Sequence, residues 1–146
     1  MKRLAVVAIA VSLALASQGD LDSIKAEPRP ERRAERALDH ADLELKAAQE
    51  AYVVKGDIKR TGAALEEVSE SVQLAYAALK DTHKNPSKSP KHFKRAEIKT
   101  REFLRRLADF RAQMSVEDRD LADKTRAVVQ KVHEELLEGI MGGKKI

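Results

Sequence analysis

The chain has 146 residues, no cysteine and no tryptophan, with 28 basic and 24 acidic side chains for a net charge of +4. The missing cysteines exclude a disulfide scaffold and a thiol nucleophile, and they exclude a lipid anchor carried on a thioether. Over a third of the residues are charged, which leaves only one segment apolar enough to address a membrane.

That segment opens the chain. Lys2 and Arg3 precede an uncharged run from Leu4 to Ala16, and Ala14-Leu15-Ala16 supplies a small-x-small site before Ser17. Charge, apolar run and small residues in this order are the layout of a secretory signal peptide over residues 1–16. The run is shorter than the roughly 20 residues needed to cross a bilayer. We therefore expect export to the periplasm or the medium, and a mature chain without a transmembrane segment. Removing Lys2 and Arg3 leaves 26 basic against 24 acidic side chains, a net of +2. The alkaline pI is thus weak support for a polyanionic partner. Residues 17–30 hold Gly19, Pro28 and Pro30 among scattered charges and read as a flexible linker.

Four helical patterns follow over residues 31–141, judged by apolar spacing. The first, Glu31 to Lys55, carries the seam Ala34, Leu38, Ala41, Leu45, Ala48, Tyr52. Gly56 then suits a helix stop and Asp57 a helix N-cap. The second, Ile58 to Thr82, carries Ile58, Thr61, Leu65, Val68, Val72, Ala75 and Leu79. HKNPSKSP reads as a loop, with Ser89-Pro90 as N-cap and first-turn proline of the third helix. The third pattern, Pro90 to Met114, carries Phe93, Ala96, Thr100, Phe103, Leu107, Phe110 and Met114. Ser115 is expected to cap the fourth, with Asp118 three residues on. The fourth seam is Leu121, Thr125, Val128, Val132, Leu136, Ile140, and Gly142-Gly143 ends it ahead of a short basic tail over 142–146.

Helices of this length would be roughly 37 Å long. With short connections, the simplest product is an all-α, up-down-up-down antiparallel four-helix bundle with coiled-coil-like packing. A tetratricopeptide array is excluded, because the helices are too long and no period of about 34 residues follows.

The strongest local charge bias is Lys84 to Arg106, with nine basic and two acidic residues. Its cations are Lys84, Lys88, Lys91, Lys94, Arg95, Lys99, Arg101, Arg105 and Arg106. On a helical wheel those of the third helix fall opposite the apolar seam. Two readings compete: a solvated helix face, or a docking surface for an acidic protein, an anionic envelope polymer or lipid headgroups. Nucleic acid is disfavoured, since the face has no aromatic residue for stacking and no groove-reading motif.

The four histidines are His40, His83, His92 and His133. In a regular bundle all fall in one half of the molecule. His40 and His133 would then sit at similar depth on adjacent helices, near Asp39, Asp42 and Glu134. This pole is the sequence's candidate for zinc or copper, and would make the chain a periplasmic metal-binding or stress-sensing bundle. No two histidines are spaced i,i+4, and there is no HExxH or Glu-x-x-His, so no cofactor is expected. Glu66, Glu67 and Glu70 form a carboxylate cluster on an amphipathic helix, where solvent exposure is the expectation rather than acid–base chemistry. No glycine-rich phosphate loop and no GxSxG occurs, so an enzyme is not expected. A further expectation is self-association through a second alanine-rich face of the first helix.

Overall fold

The computed structural model describes residues 20–142. The expected signal peptide, the first residues of the expected linker and the last four residues of the tail lie outside that range. Of the described residues, 82% are helical and none is in a strand. The four long helices are α1 (Pro30–Val53), α2 (Ile58–Lys80), α3 (Lys91–Gln113) and α4 (Arg119–Ile140). No helix among the described residues is long and apolar enough to cross a membrane.

Helix ends follow local chemistry where the side chains reach. Gly56 adopts φ +62°, the left-handed region in which a Cβ is strained. Asp57 then caps α2, its carboxylate accepting from the Arg60 N–H at 2.9 Å. The other two caps differ from expectation. Ser89 does not cap α3, which begins at Lys91 without a side-chain cap bond. Asn85 organises the preceding loop instead: its Oδ1 accepts from the N–H and hydroxyl of Ser87, and its carbonyl from the N–H of Ser89. Ser115 opens a 3-10 turn over Val116–Asp118, and α4 starts only at Arg119.

The seams pack as the spacing predicts over most of their length. Leu45, Leu65, Val68, Val72, Phe93, Phe103, Leu107, Phe110 and Leu136 are all fully buried. Three positions depart. Ile58 is exposed, at the first turn of α2. On α4 the buried stripe is Ala122, Thr125, Val129, Val132 and Leu136, so Val129 replaces Val128 and Ala122 replaces Leu121. Three buried threonines lie on the seams and each is satisfied. Thr61 and Thr100 bond back to carbonyls of their own helices, and Thr125 Oγ1 donates to the Leu65 carbonyl at 3.1 Å, joining α4 to α2.

The polar contacts fix which helices are neighbours. Along α1 and α2 partners meet in opposite order: Arg33 with Asp81, His40 with Glu67, Glu44 with Arg60. Along α3 and α4 they do so again, Glu97 with His133 and Arg111 with Asp123. Between these pairs the order is the same: Glu35 with Arg95 and Asp42 with Arg106 join α1 to α3, while Leu65 with Thr125 and Gly62 with Leu121 join α2 to α4. The two most extensive interfaces are α1 with α2 and α3 with α4, followed by α2 with α4. Side-chain size explains the tightest. The buried residues of α1 include Ala34, Ala37, Ala41, Ala48 and Ala51, and those of α2 include Thr61, Ala64, Ser71, Ala75 and Ala78. Small residues let the two backbones approach closely. Five alanines of α1 are thus buried within the chain, and Ala47 stays partly exposed.

The segment expected to be a loose linker is ordered from residue 20. Residues 20–25 are helical, and Leu21 and Ile24 are buried at 6% and 4% exposure. Arg36 holds this turn against α1 by a bond to the Ser23 hydroxyl. Two apolar residues at i,i+3 were enough to dock it.

Candidate functional site

The buried phenylalanines of α3 turn its opposite face outward, and the basic residues follow that face. The structure divides them into two groups. Five of the nine are held in ion pairs. Lys84 reaches Glu31 at 3.1 Å and Arg95 reaches Glu35 at 3.0 Å, both on α1. Arg101 pairs with Glu97 and Arg105 with Asp109 along α3 itself. Arg106 makes a very short hydrogen bond to Asp42 of α1, with both side chains largely buried. Burial works to raise the pKa of Asp42. The Arg106 bond and the charges of Arg106, Lys46 and Lys99 outweigh it and hold the carboxyl below its ordinary value. Glu31 is likewise held low, first by its own backbone N–H and then by Lys84. Lys84, Arg95 and Arg106 tie α3 and its leading loop to α1, while Arg101 and Arg105 pair within α3 on its exposed face.

The second group is Lys88, Lys91 and Lys94. All three are exposed, and none forms an ion pair with a described residue. Lys99 is half-buried and adds its charge to the surroundings of Asp42. Lys91 and Lys94 lie in the first turn of α3, which holds no acidic residue and no side-chain cap bond. The N-terminus of a helix already carries partial positive charge, so cations there are unfavourable by about 0.3–1 kcal/mol each. Ile98, one turn beyond Lys94, is 53% exposed. The site is thus a small cationic patch at the start of α3, with one apolar side chain at its edge. Gly142 approaches Ser87 of the same loop, and Lys144 and Lys145 follow Gly142 in sequence.

The histidines separate. His40 Nε2 lies 3.1 Å from Glu67 Oε1 of α2. His133 Nε2 lies 3.2 Å from Glu97 Oε1 of α3. The expected pairing of His40 with His133 presumes that α1 and α4 are neighbours. They are not among the main packed pairs, and each histidine instead meets a glutamate from the helix it packs against. His83 sits in the loop with φ +56°, ending α2, and His92 is near Glu31. Asp42, expected near the histidines, is engaged by Arg106.

Two residues gain roles that the sequence reading missed. Glu67 is not a solvated carboxylate like its exposed neighbours Glu66 and Glu70; it turns inward toward His40. Glu44 is buried one helical turn beyond His40. The His40-x-x-x-Glu44 spacing was the available signal, since i,i+4 places both side chains on one face. Elsewhere Tyr52 reaches from the end of α1 to the α3–α4 turn: its hydroxyl donates to Asp118 Oδ2 at 3.0 Å and accepts from the Ser115 N–H at 2.9 Å. Tyr76 lines a groove of about 600 Å³ between α2 and α4. Burial, with the Glu135 carboxylate beside it, pushes its pKa up to about 12.

No protein-family model matches the chain, and neither the curated proteins nor the solved structures hold a match to it.

Proposed function

We propose that this chain is an exported, non-enzymatic binding or scaffold module that docks an anionic partner through the start of α3. Its frame is an up-down-up-down antiparallel bundle, a reading supported by the opposite contact order within each consecutive pair. Its route is the leader at residues 1–16, cleaved after Ala16. The single observation that carries the docking reading is the cluster Lys88, Lys91 and Lys94: exposed, outside any ion pair with a described residue, and set on a helix terminus that is itself positive. An anion there offsets both the side-chain charge and the helix dipole. The paired cations play a different part. Arg95 and Arg106 hold α3 to α1, and Arg101 and Arg105 pair along α3 itself.

The partner classes are an acidic protein, an anionic envelope polymer or acidic lipid headgroups. Ile98 beside the lysines adds apolar contact, which suits a lipid surface or a protein better than a bare polyanion. Co-sedimentation of the mature chain with anionic vesicles, neutral vesicles and polyglutamate-coated beads tests the reading. The chain is expected to bind an anionic support, to ignore neutral vesicles, and to release at high salt. The triple change Lys88→Glu, Lys91→Glu and Lys94→Glu is expected to abolish binding with helicity unchanged. Equal binding by wild type and triple variant, or no binding by wild type to either anionic support, would remove the proposal.

A further inference from the structure

We infer that His40, Glu44 and Glu67 form a site for a divalent transition-metal ion, with zinc as the representative ion, in the interface between α1 and α2. The inference stands apart from the basic patch and does not depend on it.

The donor set follows from the helix geometry. His40 and Glu44 are one turn apart on α1, so their side chains lie one above the other. Because α2 meets α1 in opposite order, Glu67 arrives across the interface at the same level. One imidazole nitrogen and one oxygen from each carboxylate all lie within 4.8 Å of one another. An ion bound by three such donors at about 2.0–2.2 Å separates them by roughly 3–4 Å, so modest rotamer adjustment closes the set. A mixed imidazole and carboxylate set suits zinc and its first-row neighbours; calcium and magnesium prefer oxygen alone. Three protein donors leave a fourth position for water.

Burial makes the arrangement more than a surface cluster. His40 is 6% and Glu44 7% exposed, and the Glu67 side chain is 14% exposed. Placing two carboxylates in so closed an interface costs several kcal/mol per ion unless positive charge answers them. A divalent cation answers both at once. One positive side chain already beside them is Arg60, whose guanidinium lies 3.5 Å from Glu44 Oε2. Arg60 is 42% exposed at its side chain, so it can swing into solvent when an ion arrives. It is therefore a competitor of the metal, not a ligand. One turn past Glu67 on α2, the fully buried Ser71 hydroxyl has no hydrogen-bond partner among the described residues, a further oxygen on the same stripe of the interface.

This competition gives the test two opposite signs. The tag-free mature chain, stripped with chelator, is titrated with zinc chloride by calorimetry, and its melting temperature is followed with and without zinc. One zinc per chain is expected, with a zinc-dependent rise in Tm. Glu44→Gln and Glu67→Gln, which keep size and helicity, are expected to weaken binding by about tenfold or more. Arg60→Ala is expected to tighten it. His133→Gln and His92→Gln are expected to leave it unchanged. Tightening in Arg60→Ala cannot arise from misfolding, so it guards against a variant that merely unfolds. Absence of zinc binding by the wild type would overturn the assignment. So would affinity unchanged in both glutamine variants, or affinity lost in His133→Gln or His92→Gln instead.

Discussion

Arg106 and Asp42 show how a residue's place decides its role. From the sequence, Arg106 was one of nine interchangeable cations. In the structure it is largely buried and bonded to Asp42, and it fastens α3 to α1. Its removal should act on stability rather than on partner binding. Arg106→Gln is expected to destabilise the chain by about 1–2 kcal/mol at neutral pH, the range for a hydrogen bond to a charged group left unmatched. The pH dependence has a definite sign. The folded-state pKa of Asp42 is depressed below its ordinary value of 3.8. The pair's contribution is therefore present above that value and fades as pH falls through the lower folded value. Urea unfolding of wild type and variant across the acidic range should show the difference shrinking below the ordinary value. A difference that stays constant with pH would mean that the Asp42 charge is not what Arg106 serves.

At the level of elements, the turns were legible where a motif is complete within a few residues, and obscure where a distant side chain intervenes. Gly56-Asp57 needs only a left-handed residue followed by a carboxylate, and both act as the sequence implies. Ser89-Pro90 looks equally competent, but Asn85 folds the loop first and α3 starts without a side-chain cap. The two sites therefore differ in a measurable way. Asp57→Ala is expected to cost about 1 kcal/mol, the usual worth of an N-cap, whereas Ser89→Ala should be near neutral; denaturant melts of the two variants check this. Equal losses at both sites would show that Ser89 caps α3 after all. The α4 seam has a similar lesson. Val128 and Val129 are both compatible with the apolar period, and α4 packs on both α3 and α2. Val128 borders the groove beside α2 while Val129 lies in the core, and periodicity alone cannot tell the two apart.

For the whole molecule, the four long helices, their order and most of the core could be read from the spacing of apolar residues; the helical segment over residues 20–25 could not. Neighbour relations could not either. Periodicity says which face of a helix is buried and nothing about which helix covers it. The deciding information is the size of the side chains on each face: alanines of α1 draw α2 close, and the phenylalanines of α3 fill the other half. That arrangement separates His40 from His133, gives His40 the company of Glu44 and Glu67, and moves five cations of the basic stretch into ion pairs. It leaves Lys88, Lys91 and Lys94 exposed and outside any ion pair with a described residue, the feature on which the proposed docking rests. The most direct measurement of this account is an NMR titration of the isotope-labelled mature chain with a short-chain anionic phospholipid and, separately, with polyglutamate. The account predicts that amide shifts for at least one of the two ligands centre on residues 86–98, greatest near Lys88, Lys91 and Lys94, with the α1–α2 interface unmoved. Shifts centred elsewhere, such as on Arg29, Arg32 and Arg36 of the α1 surface, or no shifts with either ligand, would contradict it.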